Sequence, residues 1–85
     1  IEEASIERAL IESEKRKLYK QKFAELAEDC RTVLRNFFDG NSLKEIAQMM
    51  GYASSGYAKK RKYKCKSQLV QLIQNDSQFH EIKGL

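Results

Sequence analysis

Asn41–Leu72, NSLKEIAQMMGYASSGYAKKRKYKCKSQLVQL, decides how the rest of the chain is read. Ser42-Leu43-Lys44-Glu45 has the form of a capping box. The serine hydroxyl can accept from the Glu45 N–H, and the glutamate can accept from the Ser42 N–H. Leu43, Ile46, Ala47 and Met50 then make a one-sided apolar stripe. Gly51 supplies a helix stop, because glycine enters the left-handed region without a Cβ penalty. Tyr52 is placed to pack back over that turn. Ser54 and Ser55 are both good N-cap types for a second, longer helix.

Rotating that second helix by 100° per residue from Ala58 sets Cys65, Leu69 and Leu72 on the inward side, with Lys62 at its edge. The Lys62 stem can lie along the core while its ammonium reaches water. Gly56, Tyr57, Lys60, Tyr63, Lys64 and Ser67 fall on the opposite side, and Lys59 and Arg61 flank them. Six of the eight residues 59–66 are lysine or arginine.

Eighty-five residues suit one small domain, or a piece of a longer protein. With no proline and four glycines, composition favours helices joined by short loops. The net charge of +4 is lopsided: residues 1–40 hold eight basic and nine acidic side chains, residues 41–85 eight basic and three acidic. A positive field confined to one half points to a polyanionic partner.

Upstream, residues 1–27 have helical spacing, with Ile6, Ala9 and Leu10 in one group and Leu18, Tyr19, Phe23 and Leu26 in another. The intervening ESEKRK, 12–17, has no apolar residue. Either one helix has a solvated centre or two helices meet near Ser13. Residues 28–38 form the next helix, with Glu28 and Asp29 in its first turn, where the dipole favours them. Cys30, Val33, Leu34 and Phe37 make its stripe, and Asp39-Gly40-Asn41 ends it. Arg31 and Arg35 share another side, open to a phosphate, a protein or water. The long helix is expected to end near Gln74–Ser77. Phe79 and Ile82 follow, docking on the body or fraying. The chain thus divides into a linker or supporting helix at 1–15, a helix-turn-helix domain at 16–75 and a tail at 76–85. The expected fold is all-α, four to five helices, with a winged-helix-like variant of the motif within that expectation.

Cys30 and Cys65 lie in helical patterns, where a buried free thiol is expected; a single disulfide is the alternative. His80 is the sole histidine and has no companion ligands, so a surface or packing role is expected and no metal or other cofactor is. No glycine-rich phosphate loop, Cys-x-x-Cys or His-Glu-x-x-His occurs, and no nucleophile has a base beside it. The reading is not an enzyme and implies no small-molecule substrate. No segment reaches the ~20 apolar residues of a membrane span. An interfacial membrane helix is disfavoured, since the inner face of 58–72 lacks Trp or Phe anchors. The acidic start, IEEASIE, is no secretory signal, and a cytoplasmic location is expected.

A major groove admits one helix, presenting short or polar residues at its N-terminal end and lysine or arginine along its flanks. Ser54, Ser55, Gly56 and Tyr57 fit the first role; Lys59, Lys60, Arg61 and Lys64 fit the second. Lysine over arginine points to backbone contacts, with Arg61 the best candidate for a base. The N–H groups at the Ser42 helix start, with Lys44 beside them, can hold a phosphate. A solvated lysine-rich helix is the plain alternative, disfavoured because the charge coincides with a capped helix and turn of the right size.

Several stretches resemble region 4 of bacterial RNA polymerase sigma factors, of the extracytoplasmic-function type. They are Leu26-Ala27-Glu28-Asp29-Cys30-Arg31, Val33-Leu34, Asp39-Gly40, Ser42, Glu45-Ile46-Ala47, Met50-Gly51, Tyr57-Ala58-Lys59-Lys60-Arg61 and Cys65-Lys66 with Leu69. The similarity covers roughly 16–73 and is strongest from Glu45 to Arg61. It implies −35 promoter recognition by the second helix of the motif, docking on the polymerase β flap, and a possible anti-sigma partner. It also implies a longer parent chain carrying region 2. The DNA-contact set it implies is Ser55, Tyr57, Lys59, Lys60, Arg61 and Lys64, with Lys44 on the backbone. Cys30, Val33, Leu34, Phe37, Ile46, Ala47, Ala58, Cys65 and Leu69 match the family's core. Three departures stand out: Ala27 for proline, Tyr57-Ala58 for Thr-Val, and Lys60-Arg61-Lys62 for Ser-Arg-Leu. Tyr57 alters the base-facing end. The alternatives are a stand-alone helix-turn-helix regulator, with residues 1–27 serving dimerisation, and a helical module that binds an acidic protein partner.

Overall fold

The structure, a computed structural model, describes residues 2–77, with side chains from Arg8 onward. Four helices follow one another: α1 (Glu2–Glu25), α2 (Glu28–Phe38), α3 (Leu43–Met50) and α4 (Ser55–Gln74). The described residues contain no strand, so they form no wing. Phe79, Ile82 and His80 lie outside the described residues.

The local signals at the middle of the chain act as their chemistry requires. Ser42 Oγ accepts from Glu45 N at 3.1 Å, and Glu45 Oε1 accepts from Ser42 N at 3.2 Å. Both partners of the box are therefore satisfied, contributing about 1 kcal/mol to an eight-residue helix too short to stand alone. At its other end Gly51 has φ +71°, the Gly51 N–H reaches Gln48 O, and the Tyr52 N–H reaches Ala47 O at 2.8 Å. That pair of bonds is a Schellman turn. It folds Tyr52 back onto the core beside Ile46 and Ala47. Ser54 caps α4, accepting from Tyr57 N at 3.1 Å. The four residues 51–54 separate α3 from α4, the connectivity of a helix-turn-helix.

Burial falls into two connected patches. Leu26, Cys30, Leu34, Cys65 and Leu69 join the end of α1 to α2 and α4, flanked by Phe23, Leu72 and Ile73. Val33, Ile46, Ala47 and Ala58 join α2, α3 and α4, flanked by Leu43, Met50 and Tyr52. α2 sits between them, giving Leu34 to one patch and Val33 to the other. Lys22 fastens α1 beyond the end of α4, its Nζ 2.8 Å from Asp76 Oδ2 and 3.2 Å from Glu25 Oε2. Asp76, and Glu25 after it, hold that ammonium above the usual lysine value against the opposing effect of burial.

Four expectations need correction or narrowing. The cysteines are not free thiols: Cys30 and Cys65 form a disulfide, with Cα atoms 5.2 Å apart. Each helix stripe was compatible with a thiol, but α2 packs its Cys30 directly onto Cys65 of α4 at bridging distance. α1 runs unbroken through Ser13, so two helices do not meet there; salt bridges Lys15–Glu12 and Lys17–Glu14 line its polar centre. Phe37 is 38% exposed rather than core, its ring covered by the Lys62 ammonium at 4.2 Å. Leu10, expected on an apolar face, is 61% exposed.

Candidate nucleic-acid interface

The outward side of α4 carries the predicted residues in three states. Lys59, Lys60 and Lys64 are exposed, as are Ser55 on α4 and Lys44 on α3. Lys60 and Lys64, four residues apart, share one side of the helix and present two ammonium groups together. Ser54 is committed to the cap, so its oxygen serves the fold first.

Arg61 is the exception among the charged residues. Its guanidinium donates to Asp29 Oδ2 of α2, and its side chain is only 19% exposed. Tyr52 first and Asp29 after it hold its charge above the usual arginine value, against the opposing effect of burial. Its Nη2 also lies 3.9 Å from Cys30 Sγ. Arg61 therefore braces α4 against α2, directly beside the disulfide. As placed, it does not offer a free bidentate fork to a base.

Tyr52 and Asp29 are the two residues that the sequence reading left out of the site. Asp29 sits in the first turn of α2, where its Oδ1 accepts from the neighbouring Cys30 N–H at 2.9 Å. Its other oxygen holds Arg61, 32 positions away, a pairing that no helix wheel of either segment shows. Tyr52 meets Tyr57 edge to face, centroids 4.8 Å apart at 82°, so a turn residue fixes the ring at the start of α4. Tyr57 itself remains 46% exposed. Ala53, Ser54, Gly56, Tyr57 and Lys60 line an open, mainly apolar concavity there.

Arg31 and Arg35 are engaged elsewhere. Arg31 donates to Ala24 O at 3.1 Å, closing the C-terminal turn of α1, and Arg35 lies 5.7 Å from the centre of the Phe23 ring. Lys62 stands over Tyr63 as well as Phe37, at 4.5 Å from the Tyr63 ring. Lys62 is half-buried, and its ammonium rests on aromatic faces. Among the described residues no three His, Cys, Asp or Glu side chains gather as metal ligands, and no helix is long and apolar enough to cross a membrane.

No family model matches the chain, and no curated protein and no solved structure matches it.

Proposed function

We propose that the chain binds promoter DNA through α4 in the major groove, as the −35-reading part of an extracytoplasmic-function-type sigma factor working with RNA polymerase in the cytoplasm. The observation that carries this reading is the outward face of α4. It sets exposed Lys59, Lys60 and Lys64 behind a capped first turn, immediately after a short capped helix and a glycine turn. Lys44 on α3 adds a backbone contact near the α3 N-terminus. The polymerase β flap is the protein partner that the reading requires, and an anti-sigma factor is one that it allows. A cytoplasmic setting exposes the Cys30–Cys65 bond to a reducing thiol pool. Both sulfurs belong to residues at most 2% exposed, which slows attack on them in the folded chain.

Binding to promoter-length duplex DNA should weaken with salt. Lys60→Ala and Lys64→Ala are each expected to flatten the slope of log affinity against log salt by up to about one, since each removes a phosphate contact. Arg31→Ala and Arg35→Ala should leave that slope unchanged. The reverse outcome, loss of slope in the α2 variants and wild-type behaviour in the α4 pair, would put the groove contact on the wrong helix. Capture of the polymerase β flap separates the sigma reading from a stand-alone regulator, which gives no reason for that complex.

A further inference from the structure

We propose that the start of α4 selects thymine by its 5-methyl group, received in the apolar concavity formed by Ala53, Gly56 and Tyr57. The inference rests on the DNA-binding reading and names what that site recognises. The first two turns of α4 read Ser55-Gly56-Tyr57-Ala58-Lys59-Lys60-Arg61-Lys62. Ala58 is buried, Lys62 lies on the Phe37 ring, and Arg61 is bound to Asp29. Ser55, Gly56, Tyr57, Lys59 and Lys60 remain outward. None of them is Asn, Gln or a free Arg, and the donors left for guanine O6 and N7 are the flexible Lys59 and Lys60. Hydrogen-bond readout at this end therefore falls to those two lysines, which are point charges on flexible stems, and to the Ser55 hydroxyl. What the surface does offer is apolar: the Ala53 methyl, the Tyr57 ring and the bare Gly56 backbone. Of the base edges in the major groove, only thymine presents a methyl group.

Two details separate this from an incidental dent. Before any partner arrives, the Tyr57 ring is held by the edge-on contact of Tyr52, and its backbone by the Ser54 cap. Contact with a base then costs little side-chain ordering. Gly56 is the second detail. A Cβ built there would meet only Ser54 Oγ, at 3.7 Å, an ordinary contact, and its φ is not positive. The fold does not need glycine at this position, and glycine in a helix costs about 0.5–1 kcal/mol relative to alanine. Its effect is outward: it deepens the concavity and lets the helix backbone come closer to a base edge.

The experiment uses the full chain and the duplex it binds best from a pool with a randomised segment, made once with thymidine and once with deoxyuridine throughout. The two differ only by methyl groups. Wild type should bind the deoxyuridine duplex more weakly, by about fourfold for each methyl received. Tyr57→Ala should bind both forms alike. Gly56→Leu, an exposed change that favours the helix and fills the concavity, should also lose the discrimination while circular dichroism stays native. Equal wild-type affinity for the two duplexes, with a normal salt slope, overturns thymine selection and leaves DNA binding in place. Full discrimination retained in Gly56→Leu overturns it as well. Absence of salt-dependent binding to any duplex overturns both.

Discussion

Replacing both Cys30 and Cys65 by alanine is expected to remove about 4 kcal/mol of stability. The bond closes a loop of 35 residues, and the chain-entropy relation for a loop of that length gives a loss of this size when it opens. For a domain this small, ~4 kcal/mol is a large share of the total, and the thermal midpoint should fall by roughly 15–30 °C. Melts followed by circular dichroism, for the double variant and for wild type with and without reductant, measure this directly. Reductant should act slowly on the native protein, because both cysteines are almost fully enclosed, and quickly once the chain is unfolded. Coincident melts of wild type and the double variant, with wild-type thiols shown to be oxidised, would mean that the bond contributes nothing.

Ile46→Ala should cost about 3 kcal/mol, read as a lowered urea midpoint with the slope of the transition unchanged. Ile46 is fully buried where α2, α3 and α4 meet, against Val33, Ala47 and Ala58. α3 is only eight residues long and depends on this anchor to stay helical. Leu43→Ala, at a partly buried position on the same helix, should cost less than half as much. On the proposed DNA-binding reading, the Ile46 variant should also lose affinity for duplex DNA, since α3 supports the turn that carries Tyr52 and through it the ring of Tyr57. A cost under about 1 kcal/mol for Ile46→Ala would show that the site collapses around the missing atoms and that the anchor is not Ile46.

What was legible in the sequence and what was not divide by range. The Ser42 box, the Gly51 stop and the Ser54 cap are contacts within four or five residues, and the residue types determine them almost alone. The buried stripe of α4 followed from spacing, and Ala58, Cys65 and Leu69 are where it put them. Contacts between helices were harder to read. The wheel of α4 set Arg61 at the flank of the outward face, but could not show that Asp29 waits across the gap. The stripes of α2 and α4 each held a cysteine, yet the register between the helices decides whether the two sulfurs meet. Phe37 sat on the predicted stripe of α2, but the four helices do not reach far enough around it to enclose the ring. As for the site, the exposed lysines were visible as residues; the support that Tyr52 gives Tyr57 required the fold.

α1 is one helix but not one environment. From Arg8 to Lys17 no residue is buried, whereas Leu18, Phe23 and Leu26 mark the stretch where the chain enters the core and Lys22 clasps Asp76. Surface pairs such as Lys15–Glu12 add only a few tenths of a kcal/mol each. Amide hydrogens along this single helix should therefore exchange with solvent on a steep gradient. They will be fast before Leu18 and slow after it, with the step falling inside a continuous ladder of backbone bonds. The cooperative unit of the protein thus begins near Leu18, partway along α1.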